Sequence, residues 1–154
     1  IMSYPADMGT VLDLRLLELA QQNSAQISAL ETIEEQIAIF SDIEAEDQIR
    51  ILADAVCHYE DTGTDLEVMK SRYLDRDLHG LFAYSQRYSF DDNSVYDAVY
   101  ERLIDSRNLR MVERMGALLT RGRAFIAVGA MHLPGDNGIL NLLEQQNYTI
   151  TRIY

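Results

Sequence analysis

Apolar residues recur along the first two thirds of the chain at the spacing of one helical face. Residues 11–20 place four apolar side chains at the i, i+4, i+7, i+8 spacing of an amphipathic helix. Thr32, followed three residues later by Glu35, has the form of a capping box and predicts a helix start. The same periodicity predicts helices over residues 33–40, 44–60, 66–74, 78–82, 96–104 and 109–120. Residues 88–93 are interpreted as a polar loop. The chain is therefore predicted to be mainly helical over about residues 32–121.

Three shorter segments have the pattern of β-strands. Residues 26–30 and 148–154 alternate apolar and polar side chains, whereas residues 124–128 form a continuous apolar run. A helical pattern over residues 136–146 gives a strand, helix, strand unit over about residues 124–154, a connection that joins parallel strands. We therefore predict a helix-rich α/β fold with a small, mainly parallel sheet of about three strands. Because average sheets hold about five or six strands, we expect this chain to be part of a larger α/β domain or to pair with a second copy in a homo-oligomer.

Charge and composition exclude several classes of function. The 154 residues are 47% apolar, enough for one domain with a core. The net charge is −12 and Lys70 is the single lysine, so we expect no nucleic-acid partner. No run of 18 apolar residues is present, which predicts no transmembrane segment. The first residues also lack the layout of a signal peptide, and we expect any such signal to lie upstream of Ile1.

A single histidine, His132, lies between the predicted strand 124–128 and the helix that follows it. Ligands of parallel sheets collect outside the carboxyl ends of the strands, which places His132 where chemistry would occur. Gly129 would let the backbone approach a ligand closely. The alternative is that His132 only hydrogen-bonds the loop backbone beside a Pro-Gly turn.

Glu31 and Arg107 are further candidates. Glu31 directly follows the predicted strand 26–30, so its carboxylate could meet His132 at one sheet edge and share a proton or a metal ion with it. Alternatively, Glu31 only favours the dipole of the next helix. Arg107 could bind a carboxylate through two hydrogen bonds, or it could be an isolated surface charge. We interpret His58 and His79 as structural or surface groups.

Three stretches of the sequence together resemble one family. ALETIEEQIAIF (29–40), SRNLRM (106–111) and FIAVGAMHLPGDNGILNLLEQQNYTITRIY (125–154) resemble the carboxyl-terminal half of the TraB/GumN family, which includes the TIKI metal-dependent proteases. The most specific element is the GxxH motif, here Gly129 to His132.

The family has two GxxH motifs, with a glutamate soon after the first, and this sequence has one. The residues three positions before His58 and His79 are Ala55 and Arg76, so neither histidine completes a second motif. The resemblance therefore implies a carboxyl-terminal portion of a single domain over residues 1–154. We expect the amino-terminal half to complete the active centre and this chain alone to be inactive.

By position, the resemblance implies that His132 is the second GxxH histidine, acting as a metal ligand or general acid/base. It implies further that Glu31 matches the family's Leu-Glu, and that Arg107 and Asn108 match its Arg-Asn pair. We predict that His132, Glu31 and Arg107 are catalytic and that Gly129 and Asn108 bind substrate. Asn147 occupies a position where the family has glycine, and we expect a left-handed backbone there.

The resemblance implies a metal-dependent, peptidase-like hydrolase with a peptide or protein substrate. The cofactor is expected to be a divalent ion, namely manganese, cobalt or zinc. Exported bacterial members of the family suggest an extracytoplasmic location, in the periplasm or cell envelope. The alternative is a non-enzymatic module in which helices of region 44–105 bind a peptide or protein, with a structural GxxH loop.

Overall fold

A computed structural model of the chain describes residues 11–87 and 94–153. These residues form eight α-helices, a π-helical turn and a 3-10 turn. The α-helices are α1 Leu12–Gln22, α2 Ile33–Ser41, α3 Ala45–Cys57, α4 Thr62–Leu74, α5 Leu78–Ser85, α6 Ser94–Tyr100, α7 Ser106–Arg121 and α8 Ile139–Gln145. The predicted helices are therefore present, whereas the predicted loop 88–93 lies outside the described residues.

The start of α2 is the predicted capping box. The Thr32 hydroxyl accepts a hydrogen bond from the Glu35 amide at 3.2 Å, and the Thr32 amide donates to the Glu35 carboxylate at 2.8 Å. This reciprocal pair satisfies two amides that the first turn of a helix leaves without partners.

The π-helical turn Glu101–Asp105 connects α6 directly to α7, with no loop between them. The Ser106 amide donates to the Glu101 carbonyl, five residues back, so the turn holds one residue more than an α-helical turn. Helix α7 ends at Arg121 and is followed by Gly122, whose φ of 73° is readily adopted by glycine. Asn147 has a φ of 67°, which confirms the left-handed backbone predicted for it.

The hydrophobic core lies between α7 and α8. Six buried side chains form it, Met111, Val112 and Met115 from α7 and Ile139, Leu142 and Leu143 from α8. Partly buried residues of the connecting segments pack around it, among them Leu30, Ile126, Val128, Tyr148 and Ile150.

The predicted parallel sheet is wrong: within residues 11–87 and 94–153 no residue is in a β-strand. Residues 26–30, 124–128 and 148–153 instead run without backbone ladders. Val128 and Ile150 pack on the core, whereas Phe125 is 80% exposed. At residues 148–153, where Tyr148 and Ile150 pack on the core, contact on one side produces the apolar and polar alternation of a strand. A strand also needs a neighbouring backbone to bond with, and the described segments do not supply one to each other. Over the described residues 124–153, the predicted unit is thus a loop with the 3-10 turn, the short helix α8 and a further irregular segment.

The apolar faces of α2 and α3 are not covered by the described part of the chain. Ile37 and Phe40 of α2, and Ile49 and Leu52 of α3, are each more than 60% exposed. Among the described helices, none combines the length and the apolar character needed to cross a bilayer.

Candidate functional site

His132 is held in a short 3-10 turn, Ala130–His132, that follows the segment packed on the core. Its amide donates to the Gly129 carbonyl at 3.0 Å, and only 8% of the residue is exposed. A Cβ atom at Gly129 would lie 3.6 Å from the imidazole Cδ2, an ordinary contact distance. The turn therefore fixes the position of His132 without a steric need for glycine at 129.

The imidazole is hydrogen-bonded to Asn108, which has no exposed surface. The Asn108 Oδ1 lies 2.7 Å from His132 Nδ1, and the Asn108 Nδ2 donates to the Asn137 carbonyl at 2.8 Å. Asn108 is in the first turn of α7, directly after the π-helical turn. A buried amide therefore joins the histidine turn, the loop before α8 and helix α7.

Glu31 and Arg107 form a two-pronged ion pair beside this group. Arg107 Nε donates to Glu31 Oε1 at 2.8 Å, and Arg107 Nη2 donates to Glu31 Oε2 at 2.7 Å. The Glu31 side chain is 4% exposed and the Arg107 side chain is 16% exposed. A third hydrogen bond runs from Arg107 to the Leu103 carbonyl in the π-helical turn. The carboxylate that Arg107 binds in this structure is thus that of Glu31, and the pair ties the start of α2 to α7.

The charges around His132 favour its neutral form. Burial lowers the pKa of His132, and the nearby Arg107 charge lowers it further, while the Glu31 charge acts in the opposite direction. The hydrogen bond from Arg107 holds the pKa of Glu31 below its ordinary value. At neutral pH the site thus combines a neutral imidazole with an ionised carboxylate and guanidinium.

The structure brings Glu31, Arg107, Asn108 and His132 into one region, but not by the predicted route. A sheet edge was expected to bring Glu31 and His132 together. Helix α7 does so instead, because its adjacent residues Arg107 and Asn108 bind Glu31 and His132, respectively.

Two supporting residues, Asn137 and Asp105, were missed at the sequence level. The Asn137 side chain donates to Asp105 at 2.9 Å, while its carbonyl accepts from Asn108. The partners lie 32 and 29 residues apart, so no local spacing could reveal them.

The described residues do not form a metal site by themselves. No group of three His, Cys, Asp or Glu side chains that could hold a metal ion occurs in residues 11–87 and 94–153. His132 fits as one nitrogen ligand, because its ring is oriented by a hydrogen bond, but both oxygens of Glu31 are bound by Arg107. Any further metal ligands would have to come from outside the described residues.

Comparisons with known proteins identify relatives over most of the chain. The Escherichia coli protein YbaP is 28% identical over 134 residues, which cover 86% of this chain and 47% of YbaP. Two zebrafish (Danio rerio) proteins, metalloproteases TIKI1 and TIKI2, are 26% and 29% identical and match 91% of this chain. No solved structure matches the chain.

The chain spans about half the length of YbaP and about a third of each TIKI protein. The TraB/PrgY/gumN family matches residues 2–152, which is nearly the whole chain. This chain therefore belongs to the TraB/PrgY/gumN family.

Proposed function

We propose that this chain is the carboxyl-terminal half of a metal-dependent, peptidase-like hydrolase and that it contributes His132 to the active centre. The observation that carries the proposal is the orientation of His132 by a buried amide next to the Glu31–Arg107 ion pair. The distant similarity of this chain to the TIKI metalloproteases supports a peptide or protein substrate and a role for a divalent ion.

In this proposal His132 acts through Nε2, the ring nitrogen that does not contact Asn108. A neutral imidazole can ligate a divalent ion or accept a proton, and the lowered pKa of His132 keeps the ring neutral at physiological pH. A divalent ion in such a centre, manganese, cobalt or zinc, supplies Lewis acidity and a water of lowered pKa.

Arg107 and Glu31 would act around His132 rather than on the scissile bond. Their pairing fixes α2 against α7 and keeps a positive and a negative charge near the ring. We propose that the amino-terminal half of the full-length protein supplies the remaining ligands, and that this chain alone is inactive.

The test is peptide cleavage by the full-length protein in the presence of manganese, cobalt or zinc. We expect His132→Ala to abolish metal-dependent cleavage, because the change removes the Nε2 atom. His79→Ala is the matched control, and we expect it to cleave at the wild-type rate. Equal rates for the wild type and His132→Ala would refute the assignment of His132.

A second candidate function is peptide or protein binding without catalysis. It is favoured by the exposed apolar faces of α2 and α3, including Ile37, Phe40, Ile49 and Leu52. This alternative predicts peptide binding that survives His132→Ala and no metal uptake in calorimetry. Loss of binding on replacing Ile37 and Phe40 by serine, with His132 intact, would locate the binding face.

We also propose an extracytoplasmic location. The prediction is a second GxxH motif and a signal peptide in the coding sequence upstream of Ile1. Cell fractionation of the full-length protein tests it, and recovery in the cytoplasmic fraction alone would refute it.

A further inference from the structure

We propose that Asn108 is a positioning residue that holds His132 in the tautomer with the proton on Nδ1. This inference rests on the proposed function for its catalytic meaning, because it assigns the reactive lone pair to Nε2. It gives Asn108 a role through His132 in place of a contact with substrate.

The orientation of the Asn108 amide follows from its two partners. The Asn137 carbonyl oxygen can only accept a hydrogen bond, so the Asn108 atom 2.8 Å from it is the donating Nδ2. The other terminal atom, Oδ1, therefore faces His132 at 2.7 Å. The opposite orientation would bring two oxygens together at the Asn137 carbonyl.

This orientation decides which imidazole nitrogen carries the proton. Asn108 Oδ1 can only accept, so a hydrogen bond at 2.7 Å requires a proton on His132 Nδ1. In a neutral ring with Nδ1 protonated, Nε2 keeps its lone pair. Neutral histidine in water favours the other tautomer, so the protein has to select this one.

Burial makes the selection effective. Asn108 has no exposed surface and His132 is 8% exposed, so water does not compete well for either group. The amide is also held from its other side, because Asn137 is itself bonded to Asp105 at the end of the π-helical turn. Because Asn108 has no exposed surface, the role proposed for it acts through the ring of His132.

The test is long-range proton–nitrogen correlation spectroscopy of the nitrogen-15-labelled protein at about pH 9, where unperturbed imidazole is neutral. We expect His132 to show a protonated Nδ1 and an unprotonated Nε2. The rings of His58 and His79, which Asn108 does not bind, serve as internal controls in the same spectra. A wild-type His132 protonated on Nε2 and not on Nδ1 would overturn the proposal.

Two variants separate tautomer selection from a merely structural role. Asn108→Leu has a side chain of similar size without an acceptor, and we expect its His132 to change to the Nε2–H tautomer. Asn108→Asp keeps an acceptor and should retain the proton on Nδ1, although it loses the bond to Asn137. A folded Asn108→Leu protein that keeps Nδ1–H, or an Asn108→Asp protein that loses it, would refute the proposal.

If Asn108→Leu does not fold, as judged by circular dichroism, the wild-type and Asn108→Asp spectra decide the outcome. The readout does not depend on activity. Absence of peptide cleavage together with an intact Nδ1–H signal would therefore count against the proposed function and not against the role of Asn108.

Discussion

The Glu31–Arg107 pair gives the most direct test of how α2 is held on α7. Arg107→Met would remove two hydrogen bonds from a carboxylate that is 4% exposed and leave its charge largely out of water. Breaking a buried ion pair by removing one partner costs about 3–5 kcal/mol. We expect the free energy of unfolding to fall by about 3 kcal/mol, at the lower end, because the Arg107 side chain is still 16% exposed.

Urea denaturation followed by circular dichroism measures the change. Glu31→Gln and the double variant complete a double-mutant cycle, in which we expect a coupling of at least about 1 kcal/mol. Arg15→Met is the control, because its partner Glu18 lies in an exposed pair that contributes about 0–1 kcal/mol. If Arg107→Met cost no more than Arg15→Met, the pair would not fix the two helices.

The same pair predicts a pH dependence. The pKa of Glu31 is lowered in the folded protein from its ordinary value of 4.5, so folding favours the ionised carboxylate. Its contribution is therefore fully present above the unfolded pKa and is lost as the pH falls through the folded pKa. We expect Arg107→Met to show a shallower loss of stability below about pH 4.5 than the wild type does.

Three further changes test single features by denaturation. Thr32→Ala removes the capping hydroxyl and should lower the free energy of unfolding by about 1 kcal/mol; Thr32→Ser should restore it, and failure to do so would contradict the capping role. Met115→Ala should cost about 2–5 kcal/mol because the residue is 1% exposed. Leu109→Ala, on the exposed face of the same helix, should change stability by less than about 0.5 kcal/mol, and similar costs would contradict the core assignment. Asn147→Ala should cost about 1–2 kcal/mol because of the positive φ, whereas a loss on Asn147→Gly would argue against backbone strain.

The helices could be predicted because their signals are local. Met111 and Met115 repeat at the helical period, and the Thr32 capping box marks a helix start within four residues. The absence of β-strands within residues 11–87 and 94–153 could not be predicted in this way. The alternation at Tyr148 and Ile150 reports which side faces the core, whereas pairing depends on a second backbone far away in sequence.

The candidate site was predictable as a set of residues but not as a set of contacts. The sequence predicts Glu31, Arg107, Asn108 and His132 as site residues, with Glu31 and His132 in direct contact. The partnership of Asn108 with His132 spans 24 residues and depends on the packing of a loop against α7. Neither the periodicity nor a local motif of the sequence predicts a contact between residues so far apart along the chain.

The π-helical turn Glu101–Asp105 lies between α6 and α7 and changes the direction in which the side chains of α6 point relative to those of α7. An α-helix rotates by about 100° per residue, so the extra residue in this turn sets which way α6 faces. Deleting one residue there would rotate buried Val95 off its packing surface and move Arg102 away from the Asp42 carbonyl, while Asn108 would remain in register on α7. The length of this turn is therefore under a stricter constraint than its amino-acid identity, and a one-residue gap at this point in a relative would signal a repacked α6.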